Sequence, residues 1–99
     1  MKGARGEVFK IDDMGPVGAD GRFVVRGRAY ADVRVGELLS TSPGAEPSLR
    51  VEEIETYRVR TELLARMMTG SLVVSGGTEA ALRAAVMLYR EPPGGEVAR

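Results

Sequence analysis

Apolar and polar side chains alternate along much of this chain, and a period of two is the mark of half-buried β-strands. The clearest run is Arg22 to Tyr30, where Phe23, Val25, Gly27 and Ala29 share one side and Val24, Arg26, Arg28 and Tyr30 share the other. The first set reads as core-facing and the second as solvent-facing. Glycine weakens a strand interior, so Gly27 marks a bulge, a bend or a close approach of backbone. Glu7 to Asp12 predicts an earlier strand, with Phe9 and Ile11 alternating with Lys10 and Asp12. Between the two, Gly15-Pro16, Gly18 and Asp20-Gly21 predict a loop that ends in a tight turn.

Val33 to Leu39 reads as two short strands turned at Gly36, and Ser40 to Ser48 as a polar hairpin loop, the best candidate for a mobile tip. Leu49 to Arg60 reads as one long strand rich in Val, Ile, Thr and Tyr. Its phase slips, because Leu49 and Val51 share one parity and Ile54 has the other. One extra residue near Glu52-Glu53, a β-bulge, accounts for the slip. Glu62 to Met68 has helical spacing, with Leu63, Leu64, Met67 and Met68 on one face, Thr61 as cap and Gly70 as stop. A helix of about two turns has to dock on the sheet, so its Met pair is expected to plug the core. Ser71 to Gly77 predicts a strand ending at Gly76-Gly77. Thr78 then caps one helical turn through Leu82, and Ala85 to Tyr89 forms the last strand. Residues 91–99, with Pro92-Pro93-Gly94-Gly95, read as a flexible tail behind a single domain over 1–90. The predicted fold is mainly β: a small closed or partly open antiparallel β-barrel of about six to seven strands with one short helix.

Composition narrows the chemistry more than the fold. The 99 residues contain no Cys and no His. That excludes disulfides, thiolate or imidazole metal ligands and Ser-His-Asp catalysis, leaving carboxylates as the only metal-binding side chains. Fourteen basic residues balance fourteen acidic ones, so nucleic acid would have to be held by a local patch rather than by bulk charge. Twelve of those fourteen bases are Arg, which codon bias in a GC-rich genome explains and which also suits bidentate phosphate contacts. No apolar run approaches the ~20 residues that cross a bilayer, and no apolar stretch follows the N-terminal charges. The expected setting is cytoplasmic, without membrane contact.

The run Gly21-Arg22-Phe23-Val24-Val25-Arg26-Gly27-Arg28, followed by Val33-Arg34-Val35-Gly36-Glu37-Leu38-Leu39, resembles the β-barrel second domain of translational GTPases of the elongation factor Tu class. That family reads roughly G-x-V-V-x-G-R, a short turn, then I-K-V-G-D/E-x-L. Phe9 to Asp13, Val51 to Tyr57, Leu63 to Gly70, Leu72 to Gly76 and Glu79 to Leu88 stand where the family's other segments fall, so the likeness spans about residues 7–90. Asp32 replaces a usual Gly, Ala84-Ala85 replaces a usual Arg-Gly, and the turn after Arg28 is about one residue shorter. The resemblance implies a barrel that contacts RNA or the ribosome. It does not carry GTP hydrolysis, because the chain has no G-x-x-x-x-G-K-[ST] loop.

The candidate phosphate-contacting residues are Arg26 and Arg28 on one strand, Arg34 on a neighbour, and Arg58 with Arg60 on a third. The competing reading is a solvated face whose arginines pair across strands with Glu52, Glu55 or other acids. Asp12-Asp13 and Glu52-Glu53 are adjacent pairs, and strand neighbours face opposite ways, so neither pair is expected to converge on a proton or a metal. Ser40-Thr41-Ser42 has no base beside it. No catalytic residue, metal or cofactor is expected. Three functions compete: an RNA- or ribosome-contacting module, a protein-interaction or homo-oligomeric module, and an enzyme with an unrecognised carboxylate site. The last needs a pocket that gathers at least two acids.

Overall fold

A computed structural model describes residues 6–15, 17–18 and 20–90. Nine strands and one helix follow one another: β1 (Glu7–Met14), β2 (Phe23–Ala29), β3 (Val33–Arg34), β4 (Leu38–Leu39), β5 (Leu49–Thr56), β6 (Val59–Thr61), β7 (Leu63–Leu64), β8 (Thr69–Ser75), α1 (Glu79–Ala84) and β9 (Met87–Tyr89). The main sheet is antiparallel, in the order β4-β5-β8-β2-β1-β9, with β6 also paired to β5. Ser40, just after β4, exchanges two 2.9 Å backbone hydrogen bonds with Tyr89 of β9, which brings the two edges together. The result is a small, nearly closed barrel of six strands. A two-stranded ladder, β3 with β7, lies beside it. Among the described residues no helix is long and apolar enough to cross a membrane. The tail expected over 91–99 lies outside the described residues.

The inward face of each strand fills the barrel. Val25, Leu72 and Ile54 form one cross-strand layer through β2, β8 and β5, and all three are fully buried. Phe9, Leu39, Leu49, Val51 and Leu88 complete the same core. Alternation in β2 runs as its sequence predicts, with Phe23, Val25, Gly27 and Ala29 inside. The bulge expected near Glu52-Glu53 is present: Val51 faces Val74, Glu53 faces Val73, and Glu52 is the extra residue. A second bulge in β1 leaves Asp12 without a partner between Ile11, opposite Gly27, and Asp13, opposite Arg26. A third irregularity, against β9, lets the adjacent Val8 and Phe9 both turn inward. Thr78 caps α1 by accepting a hydrogen bond from the Ala81 amide at 3.1 Å, and Leu82 carries the helix's buried contact.

Two expectations fail. Glu62 to Met68 is not a helix. Leu63 and Leu64 pair with Arg34 and Val33, and the chain turns at Met67 with φ of 77°. Two turns of helix are too short to outweigh strand pairing, and Thr61 closes a local turn through its Leu63 hydrogen bonds instead of capping a helix. Met68 packs on the core from its edge while Met67 stays exposed, so the Met pair is no plug. Among the described residues the single helix is α1. Leu49 to Arg60 is likewise not one strand: Tyr57 and Arg58 form a two-residue turn, and the chain returns as β6.

Barrel closure also relies on a charged clasp. The Arg90 side chain reaches back to Glu37, with Nε 2.5 Å from Oε2, and its Nη2 donates to the Asp32 carbonyl oxygen. The Nε–H does not aim at the carboxylate well enough for a hydrogen bond, so that contact is an ion pair. Asp32 and Glu37 additionally accept from the backbone amides of Arg66 and Arg34. At the same end the Arg90 amide donates to the Gly6 carbonyl oxygen at 2.7 Å, joining the approaches to β1 and β9.

Candidate nucleic-acid interface

Pairing across β2, β8, β5 and β6 assembles one outward row. Arg26 stands opposite Ser71, Ser71 opposite Glu55, and Glu55 opposite Arg60. Neighbouring strands lie ~4.8 Å apart, so four of them carry this row over roughly 14 Å. The adjacent row is Val24, Val73 and Glu53. Together they line an open groove of about 530 Å3, to which Arg58 is added from the β5–β6 turn. The groove continues past Arg26 and Arg58 to Tyr57, Thr69 and Asp12 in a further concavity of about 400 Å3.

The turn that supplies Tyr57 and Arg58 is unusual. Both residues have positive φ, 51° and 65°, between the paired ends Thr56 and Val59. A two-residue hairpin with both centres left-handed is a type I′ turn, which Asn-Gly or Asp-Gly normally fills. A side chain with a Cβ loses roughly 1–2 kcal/mol in that conformation. The hairpin therefore holds an 81% exposed tyrosine ring and a guanidinium beside the groove at a cost in stability. Backbone strain of this kind concentrates where a surface is used.

Charge in the groove is mixed. Arg26 lies 3.5 Å from Asp13, and Arg60 lies 3.5 Å from Glu53, which Arg22 also approaches at 3.8 Å. These exposed pairs match the competing reading and contribute ~0–1 kcal/mol each. The Arg58 guanidinium has no carboxylate within 4.0 Å among the described residues; neither do the guanidinium groups of Arg28, Arg34 and Arg66. Of the five arginines singled out by sequence, the groove brings together Arg26, Arg58 and Arg60. Arg28 lies farther along β2 and lines a different concavity. Arg34 sits on β3, in the separate two-stranded ladder, so the expected single patch divides.

The acidic pairs sit on bulges, which removes the simple opposite-face argument. Even so, their members have different partners. Glu52 accepts from Ser75 Oγ at 2.5 Å, while Glu53 meets Arg60 and Arg22; Asp12 pairs with Lys10, and Asp13 with Arg26. Glu53 and Glu55 do share the groove. No set of three acidic side chains suited to a metal gathers among the described residues. Ser40 is buried at the barrel seam, where its hydroxyl donates to the Ser42 carbonyl oxygen. Sequence reasoning missed Ser71 and Arg66, and it placed Met67 in the core, because Arg66 and Met67 lie at a turn that carries no Gly or Asn signal. No family model, characterised protein or solved structure matches the chain.

Proposed function

We propose that this protein is a cytoplasmic binding module of the translation-factor barrel kind, which holds single-stranded RNA in the β2–β8–β5–β6 groove and hydrolyses no nucleotide. The observation that carries this reading is the left-handed Tyr57-Arg58 tip, which sets an exposed ring, and a guanidinium with no carboxylate within 4.0 Å among the described residues, beside Arg26. A ring stacks on bases without regard to sequence, and guanidinium groups hold phosphates. Val24 and Val73 give the groove an apolar floor. Glu53 and Glu55 limit the attraction, so binding is weak and salt-sensitive.

Fluorescence anisotropy with a labelled single-stranded RNA tests this. Three arginines and one ring should give saturable binding at low salt. The plot of log K against log salt should have a slope of about −2, since each neutralised phosphate on a single strand contributes ~0.7. Absence of binding at low salt overturns the reading.

A second reading, a protein-interaction or homo-oligomeric module, is favoured by β6. Its three residues pair only with β5 among the described strands, and Val59 on it is 62% exposed. Open strand edges of this sort accept a further strand. Light scattering over a concentration series separates the two readings, because a strict monomer that binds RNA excludes self-assembly through β6.

A further inference from the structure

The described residues contain three non-glycine residues with positive φ, and all three line surface concavities. Two of them form the groove hairpin. The third, Met67, belongs to a separate concavity of about 470 Å3 that it shares with Glu7, Arg28, Tyr30 and Arg66. Its conformation is imposed by two backbone hydrogen bonds on one residue: the Met67 amide donates to the Ala29 carbonyl oxygen at 2.7 Å, and the Ala29 amide donates to the Met68 carbonyl oxygen at 2.9 Å. Arg66 is fixed beside it, since its amide donates to Asp32 Oδ1 at 2.8 Å. The turn thus hangs over the end of β2 and projects a methionine that is 56% exposed.

Arg28 and Arg66 are two of the four arginines whose guanidinium groups have no carboxylate within 4.0 Å among the described residues, and this concavity holds both. Glu7 is the one acid among the described residues that line it, against two arginines. Tyr30 lies just past the end of β2, two residues from Arg28, and lines the same concavity. A flat ring and a polarizable thioether offer two apolar surfaces to a planar group, while two guanidinium groups offer bidentate donors to an oxyanion.

The geometry points to a nucleoside monophosphate site: the base rests against Tyr30 and Met67, the phosphate bridges Arg28 and Arg66, and Glu7 accepts from the ribose hydroxyls. This site is distinct from the groove and does not rest on the groove's reading. Two guanidinium groups match the roughly two negative charges of one phosphate group, so the further phosphates of a triphosphate meet no additional cation in this concavity.

The test is a titration of the full-length, isotope-labelled protein followed by amide NMR, with AMP, adenosine, inorganic phosphate, ATP and O-phosphotyrosine in turn. AMP should shift the amides around Arg28, Tyr30, Arg66 and Met67. Adenosine and phosphate should each bind at least tenfold more weakly, and ATP no more tightly. R66Q should weaken AMP at least tenfold, whereas R83Q on α1, outside both concavities, should leave it unchanged. A 5′-phosphorylated tetranucleotide then identifies the source: tighter binding than AMP assigns the site to an RNA end, and equal or weaker binding to a free nucleotide. Absence of shifts at millimolar AMP overturns the proposal, as do shifts confined to Arg26 and Arg58 or O-phosphotyrosine binding as well as AMP.

Discussion

Gly27→Ala is expected to lower Tm by about 12 °C or more. A Cβ at this position would lie 1.8 Å from the Lys10 carbonyl oxygen, 2.9 Å from the Lys10 carbonyl carbon and 3.2 Å from the Asp12 nitrogen. All three atoms are backbone of β1, at the bulge that sets Asp12 between the Ile11–Gly27 and Asp13–Arg26 pairs. A flexible side chain could swing aside, but paired backbone cannot. To admit the methyl group, β1 has to leave β2 locally, which also disturbs Phe9 in the core. Overpacking of this kind costs ~3 kcal/mol or more. Each kcal/mol is worth roughly 4–8 °C in a domain of this size. Thermal unfolding followed by far-UV circular dichroism measures the change; an Ala variant within 3 °C of the parent would show that β1 and β2 do not approach as described.

The double substitution Tyr57→Asn, Arg58→Gly works in the opposite direction on stability. It places the residues that a type I′ turn prefers where φ is 51° and 65°. Relief of the left-handed strain should add about 1–3 kcal/mol and raise Tm by several degrees. The same change deletes the exposed ring and the Arg58 guanidinium. Loss of one stacking platform is worth ~1–3 kcal/mol per base, so RNA affinity should drop between roughly tenfold and a hundredfold. Calorimetry and anisotropy on one preparation read both effects. A more stable variant that binds RNA undiminished sinks the groove as the binding surface. A variant that is not more stable contradicts the strain.

These two sites show how far the sequence is legible. Gly27 stands out because glycine in the middle of an alternating strand requires a reason, and the reason is the Lys10 carbonyl. The phase slip between Val51 and Ile54 locates the Glu52 bulge equally well, since inward positions must stay apolar whatever the rest does. Thr78 is readable as a cap because its hydroxyl serves an amide three residues away. Tyr57 and Arg58 are not readable. They continue the β-forming run around them, and nothing local shows the chain reversing there. Leu63, Leu64, Met67 and Met68 fit a helix by spacing alone, and only their pairing with β3 and β2, fixed by distant residues, makes them strand and turn.

The candidate surface was half legible for a similar reason. Outward pointing of Arg26 and Arg28 follows from alternation in β2. Their separation into two concavities depends on which strands lie beside β2, and that is set by long-range order in the sheet. Arg58 joins Arg26 because β5 and β2 both flank β8, a relation no spacing rule contains.

The bond between Gly6 and Arg90 has a mechanical consequence. β1 and β9 are antiparallel neighbours, and the segments leading into and out of them meet at one end. Tension applied through those segments pulls across the ladder rather than along it. The hydrogen bonds between β1 and β9 then bear the load one after another, as the teeth of a zip do, instead of sharing it. An optical trap gripping both ends should therefore open this barrel at low force, however well its core resists heat.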